Sequence, residues 1–381
     1  MEEANNDEET TVRVAVRCRP FNSKEKANNE PSCVRISSDQ VVLVNPAGHN
    51  EEHSFAFDLV IDENATQESV WVAVGVPILN KAFNGYNGTI LAYGQTGSGK
   101  TWSMQGAEGD DLQGIIPRMN NQLFVRVDEE MKKRPTVQFL ITVSYFEIYN
   151  EVIFDLLDSS DRKKKSAAAK GGLEIKEHPV LGVYVKGLQE IVVDSAGKLQ
   201  NIIDQGMRNR TVASTQMNAD SSRSHSVFII NLHQKDVEDE SKNVFAKVNL
   251  VDLAGSERVK STGATGTVLK EGANINKSLS ALGNVINALV EASKGKGAFI
   301  PYRNSKLTRV LQESLGGNSI TAMLAALSPA ACNFEETLST LKYANRAKAI
   351  KVMNIIFLLL RSNFSLQCLF LLHRMFTGQS D

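Results

Sequence analysis

A short apolar run, Thr89 to Tyr93, feeds directly into Gly94-Gln95-Thr96-Gly97-Ser98-Gly99-Lys100-Thr101, and few folds accommodate that succession. The segment satisfies the pattern of a phosphate-binding loop, G-x-x-x-x-G-K-[ST]. Its glycines let the backbone curl until successive N–H groups point at one anion. A helix starting at the loop's end adds its dipole. Lys100 is placed to reach outer phosphates, and the Thr101 hydroxyl to ligate Mg²⁺. A glycine-rich turn with no ligand would leave that lysine facing N–H groups without an anion. The pattern therefore predicts a nucleotide pocket on an α/β scaffold.

A pocket of this class needs an acidic residue at the end of a neighbouring buried strand. Val248-Asn249-Leu250-Val251-Asp252 supplies one, and Leu253-Ala254-Gly255 turns away immediately after it. Asp252 is expected to hold Mg²⁺ through water, and the Gly255 N–H to face a γ-phosphate. A guanine reader would carry Asn-Lys-x-Asp. Asn-Lys occurs at 80–81 and 276–277 but without the aspartate, which favours ATP. A third segment, Asn218-Ala219-Asp220-Ser221-Ser222-Arg223-Ser224-His225, is dense in hydroxyls. It suits a plain turn, or a loop whose serines coordinate Mg²⁺ and position water while Arg223 pairs with a carboxylate.

The rest of the chain fits one α/β domain. Val12, Val14 and Val16 alternate as in a strand; 41–44, 55–59 and 137–149 read as further strands, and 225–233 with 244–252 as a hairpin. Ile275, Leu279, Leu282, Ile286 and Leu289 recur at helical spacing and define a buried stripe. A weaker stripe runs over 334–350. Residues 158–172 and 293–297 are polar, lysine-bearing loops.

Composition narrows the remaining classes. The net charge of −1 over 381 residues provides no global field toward nucleic acid, so a polyanionic partner must meet a local basic patch. The four cysteines, Cys18, Cys33, Cys332 and Cys368, are dispersed, as for reduced cytosolic thiols. His49 and His53 lie four apart in a polar stretch without helical pattern, so no histidine metal site follows. Residues 1–10 carry five acidic groups and no apolar run, which predicts a disordered terminus rather than a signal peptide. Ile355 to Leu372 is strongly apolar, yet Arg361 interrupts it, and a mid-span arginine costs roughly 2.5–3.5 kcal/mol on insertion. A membrane anchor is not expected.

The three segments, in this order, resemble the kinesin motor domain over about 11–351. Gly-Gln-Thr-Gly-Ser-Gly-Lys-Thr at 94, Ser-Ser-Arg-Ser-His at 221 and Asp-Leu-Ala-Gly-Ser-Glu at 252 carry the likeness. So do Arg-Cys-Arg-Pro at 17, Glu-Ile-Tyr-Asn-Glu at 147, Asn-Ile-Asn-Lys-Ser-Leu-Ser-Ala-Leu-Gly at 274 and Pro-Tyr-Arg-Asn-Ser-Lys-Leu-Thr at 301. The resemblance implies a single P-loop NTPase domain, a central mixed sheet with helices on both faces, that binds ATP or ADP with Mg²⁺. Arg17, Arg19, Pro20 and Trp102 would pack the adenine, Trp102 alternatively serving the core. Gly94, Gln95, Thr96, Gly97, Ser98, Gly99, Lys100 and Thr101 would cradle phosphate.

Residues 218–225 would then be switch I and 252–257 switch II, with Arg223 and Glu257 closing the pocket as an ion pair. Ser222 joins Thr101 and Asp252 around Mg²⁺, Ser221 orients the attacking water, and Gly255 and Glu257 complete the catalytic set. The helix at 270–290 would carry the mechanical output. Lys277, Lys294, Lys296, Arg303, Lys306 and Arg309 would form a basic surface for acidic tubulin, with the 162–165 loop as an added tether. The implied function is a microtubule-activated ATPase moving toward plus ends in the cytoplasm, on the cytoskeleton. The alternative is a nucleotide-gated microtubule-binding module that does not move. This alternative arises because Val352 onward does not resemble a neck linker. Residues 352–381 form an atypical apolar tail without a coiled-coil heptad, which predicts a monomer.

Overall fold

The computed structural model describes residues 9–46, 48, 51–158, 172–178, 182–216, 221–257, 267–295, 297 and 299–353. Its centre is a nine-stranded sheet built from β1 (Arg13–Cys18), β2 (Leu59–Ile61), β3 (Gly88–Tyr93), β4 (Val137–Tyr149), β5 (Val152–Asp155), β6 (Ile191–Val193), β7 (His225–Asp236), β8 (Val244–Asp252) and β9 (Ile320–Leu327). The order across the sheet is β6-β4-β7-β8-β3-β9-β1-β2, with β5 folded back on β4. Strands β2, β1, β9, β3 and β8 run parallel, and β7, β4 and β6 alternate antiparallel beyond them. The expected mixed sheet is present.

β3 lies at the heart of the parallel part, and every one of its residues is buried. A continuous apolar strand of this kind is what a sheet covered on both faces requires. Alternation along the strands divides the core in two. Ala15, Ile90, Ala92, Phe228, Ile230 and Leu324 face α1 (Val76–Phe83), α3 (Ile115–Lys133) and α4 (Ala196–Gln216). Val14, Val16, Leu91, Val227, Val251 and Met323 face α5 (Thr267–Ser293) and α6 (Phe334–Ala347). Among the described residues of the α5 stripe, Leu279, Leu282, Ile286 and Leu289 are buried as predicted. The side chain of Ile275 lies outside the described residues.

Three boundaries differ from the sequence reading. The strand expected over 55–59 separates into Glu52–Ala56, which joins a small sheet with Val34–Ser37 and Gln40–Val44, and β2. The break falls where the Phe57 N–H turns to Asp39 O at 2.9 Å and the Asp58 carboxylate accepts from Val14 N at 2.8 Å. At the N-terminal end, Glu9–Thr11 forms a strand antiparallel to Lys351–Met353, so the stretch assigned to disorder already pairs before residue 11. Residues 352 and 353 likewise belong to that ribbon, two positions beyond the predicted domain end. Residues 1–8, the 159–171 part of the lysine-rich loop and the tail from 354 lie outside the described residues. No helix among the described residues is long and apolar enough to cross a membrane.

Candidate nucleotide site

The register of the parallel strands sets the site. β8 pairs with β3 so that Asp252 lies level with Ala92, two residues before Gly94. The loop between β3 and α2 (Lys100–Met104) takes positive φ at Gly94, Gly97 and Gly99, of 148°, 76° and 98°. Gly94 also approaches β9 so closely that a Cβ would stand 2.3 Å from Ala326 O, so no larger residue fits there.

Lys100 is buried, and its Nζ donates to the carbonyls of Gly94 and Gln95, each at 2.9 Å. Burial lowers its pKa from the ordinary lysine value, and the Asp252 and Glu257 carboxylates oppose that shift. Thr101 Oγ1 donates to Asp252 Oδ2 at 2.6 Å. The other carboxylate oxygen of Asp252 is buried without a hydrogen-bond partner. A threonine hydroxyl beside an aspartate with an unsatisfied oxygen is an all-oxygen donor set that fits a hard divalent cation. Arg210 on α4 stands 3.9 Å from the same carboxylate, a neighbour no motif announced.

The segments after β8 and before β7 meet above this floor. The Gly255 N–H donates to Ser222 O at 2.8 Å, and Ser256 N to Gly94 O at 3.2 Å. Glu257 accepts from Thr96 N at 2.8 Å and from Thr96 Oγ1 at 2.5 Å. Its described contacts are thus with the phosphate loop, whereas the resemblance placed it opposite Arg223. Ser222 and Arg223 are half-buried in the short 3-10 turn Ser221–Arg223. The side chain of Ser221, and residues 218–220, lie outside the described residues.

Of the residues expected around the base, Pro20 is exposed and Trp102 is 42% exposed, so Trp102 is no core residue. Arg17 turns inward. It is buried, and its guanidinium donates inward to Gln67 Oε1 at 2.8 Å and Ser103 Oγ at 2.9 Å. Burial lowers its pKa to about 10. Arg17 shares its face of β1 with Ala15, and that face points under α2 rather than out of the cleft.

Arg19 braces the loop instead. Its Nε donates to Gly97 O at 2.6 Å, and its two Nη atoms grip the Glu25 carboxylate at 2.7 and 2.6 Å. Glu25 is buried, and that hydrogen-bonded guanidinium holds its pKa down to about 2. Asn333, just ahead of α6, donates to Glu25 Oε1 at 3.3 Å and accepts from Gln95 Nε2 at 2.9 Å. A ring of polar contacts therefore returns from Gly97 to Gln95 through Glu25. Ser98 Oγ is buried without a partner beside it in the loop.

The predicted basic residues do not all face solvent. Lys277 and Lys294 are exposed, and Lys294 pairs with Glu291 at 2.9 Å. The Arg303 side chain is 79% exposed, whereas that of Arg309 is 15% exposed and is held by Glu177 and Gln312. Lys306 starts a short helix, Lys306–Val310, that adjoins α5. Its N–H donates to Glu151 Oε2 at 2.9 Å. Asn150 and Glu151 both take left-handed backbone angles, φ 52° and 61°, at the β4–β5 turn. This gives the Glu-Ile-Tyr-Asn-Glu motif a structural task in orienting the basic segment. Lys296 lies outside the described residues. Phe299, 84% exposed, stands near this patch in sequence and was not anticipated.

Fold and site define a P-loop nucleotide-binding α/β protein. A family model of the kinesin motor domain matches residues 17–350, and the chain belongs to that family. It is 47% identical over 366 residues to the kinesin-like protein KIF1A of Rattus norvegicus, covering 91% of this chain and 21% of that protein. It is 48% identical over 351 residues to the chromosome-associated kinesin KIF4 of Xenopus laevis, covering 91% and 27%. Among solved structures, a KIF14 dimer with AMP-PNP in complex with a microtubule superposes with a TM-score of 0.83 at 40% identity, covering 94% of this chain and all of that one. The chain thus spans about a fifth to a quarter of the length of these curated relatives.

Proposed function

We propose that this chain is a microtubule-activated ATPase motor domain that moves toward microtubule plus ends, binds ATP and ADP with Mg²⁺, and works as a monomer on cytoplasmic microtubules. The observation that supports it most is the single Gly255 N–H bonded to Ser222 O at 2.8 Å, three residues beyond Asp252 at the end of β8. That N–H has one proton to donate. A γ-phosphate that captures it must release Ser222, so nucleotide state and switch geometry exclude one another.

Lys100 and the loop N–H groups then bind the phosphates, while Arg19 and Glu25 keep the loop's curvature. Thr101, Ser222 and Asp252 would hold Mg²⁺, which when bound supplies charge neutralisation to phosphoryl transfer. Ser221 orients the attacking water, and Glu257, leaving Thr96 for Arg223, closes the pocket and receives the proton through water. Loss of the γ-phosphate frees the Gly255 N–H to return to Ser222. The exposed Lys277, Lys294 and Arg303 meet the acidic polymer surface, an interaction that weakens with salt.

A gliding assay with surface-attached protein, run beside ATP turnover with and without microtubules, tests the reading. Stimulated turnover with filament movement is expected. Turnover indifferent to polymer would sink the microtubule role; stimulation without movement would favour the non-motile, nucleotide-gated module. Lys100→Ala should abolish nucleotide binding, and Glu257→Ala should retain binding but stall hydrolysis.

A further inference from the structure

His225 begins β7, opposite Ile148 of β4 and one residue before the Ser226–Asp252 pair of the β7–β8 hairpin. With period-two alternation its side chain shares a face with Val227 and Ile229, the face covered by α5. The imidazole is buried there between two partners. Nδ1 accepts the N–H of Ala254 at 3.0 Å, and Nε2 lies 2.8 Å from Ser278 Oγ on α5. A backbone N–H can only donate, so Nδ1 is the acceptor and the neutral ring carries its proton on Nε2, donating to Ser278. Burial pulls the pKa of His225 down to about 3, with Arg210 and Lys100 adding to the shift.

Each end of this bridge adjoins a working part. Ala254 immediately precedes Gly255, whose N–H is contested between Ser222 and a γ-phosphate. Ser278 immediately follows Lys277, which faces solvent on the outer side of the same helix. Burial leaves Ser278 on the inner side.

We infer that His225 and Ser278 form a rigid two-bond strut that couples the switch peptide 254–255 to helix α5, so that polymer engagement at Lys277 is felt at the γ-phosphate sensor. The inference rests on the proposed microtubule function and assigns positioning roles, not catalytic ones, to both residues. The strut works because neither bond tolerates much displacement. A shift of α5 along its axis either carries the 254–255 peptide with it or strands a buried polar group, and stranding is the costlier course.

The test uses the whole chain and three variants. Ser278→Ala removes the acceptor without adding bulk. His225→Asn keeps an acceptor for the Ala254 N–H and loses the donor to Ser278. The third is the double variant. Ser278→Ala should leave turnover without polymer, and the KM for ATP, within about twofold. Its polymer-stimulated kcat should fall about fivefold or more, the scale of an ordinary coupling between sites. The double variant should lose no more stimulation than the worse single one, because both break the same bond. His225→Asn also tests the fold by thermal unfolding; Ser278→Ala stands alone should that variant fail to fold. Full stimulation in Ser278→Ala, or additive losses in the double variant, would overturn the strut while leaving the motor reading intact. A lack of stimulation in the unsubstituted chain would overturn the microtubule reading, and the strut with it.

Discussion

The Thr101 hydroxyl donates to Asp252 Oδ2 across 2.6 Å, tying the first turn of α2 to the last residue of β8. The second oxygen of that carboxylate has no hydrogen-bond partner, which suits the pair to the seat proposed for Mg²⁺. Asp252→Asn should keep the fold and the contact to Thr101, but lose most of the gain that Mg²⁺ gives to ADP affinity. Calorimetric titration of ADP with and without Mg²⁺ checks this; an unchanged Mg²⁺ effect would remove Asp252 from the seat.

Gly255 has no room for a side chain in this closed arrangement. A Cβ there would lie 2.3 Å from Thr96 Oγ1 and 2.4 Å from both Glu257 oxygens. Those atoms end flexible side chains, so Gly255→Ala should fold and bind nucleotide. It should, however, displace Glu257 from Thr96 and cut turnover at least about tenfold, since a mispositioned catalytic group commonly costs this much or more. Nucleotide affinity and steady-state turnover, measured together, decide the matter.

Glu25 gives the domain an acid-labile brace. Its folded pKa lies near 2, below the ordinary value of 4.5, so its contribution is present above pH 4.5 and is lost as pH falls toward 2. A shift of this size corresponds to an upper bound of about 3 kcal/mol. Buried, neutral His225 has a depressed pKa as well, and its protonation in the unfolded chain begins the decline near pH 6.5. The unsubstituted chain should therefore be more stable than Glu25→Gln at neutral pH, and that difference should shrink only below about pH 5. A difference that is flat from pH 7 to pH 3 would contradict the brace.

Arg303 and Arg309 should separate by function. Arg303→Ala removes a side chain that is 79% exposed and should change stability by less than about 0.5 kcal/mol while weakening microtubule co-sedimentation. Arg309→Ala removes a mostly buried group shared by Glu177 and Gln312, and should cost about 1–3 kcal/mol in denaturant unfolding. Equal stability losses in the two variants would refute the division.

Signals within one element were legible in the sequence. The glycines and lysine of 94–101, the strand ending at Asp252, the hairpin and the described part of the α5 stripe, Leu279 to Leu289, all follow from local spacing, and each stands where that spacing put it. What escaped depends on distant partners. Glu25 and Asn333 meet across 308 positions, and nothing in Asn22-Ser23-Lys24-Glu25 beyond a capping pattern points to a phosphate loop. Arg17 was assigned to the base by likeness, but the alternation of β1 sends it inward to Gln67 and Ser103. His225 belonged to a recognised segment, yet its bond to Ser278 becomes visible only once the sheet register and the seating of α5 are both known. Arg309 has the charge of a docking residue, and Glu177, on the strand Glu174–His178 that pairs with Gly182–Lys186, withdraws it from the surface.

The Glu9–Thr11 and Lys351–Met353 ribbon, continued by the Val12 N–H to Ile350 O bond at 3.1 Å, brings both ends of the domain to one corner. A domain that closes on itself in this way is a candidate for circular permutation. Joining residues 9 and 353 by a short linker and reopening the chain between 158 and 172 would leave every described strand of the central sheet in place. A dye pair at those two ends would also form a built-in gauge. Its transfer efficiency would stay high while the ribbon holds and drop when the ribbon unzips, turning this corner into an optical readout of whether the two ends of the domain stay paired.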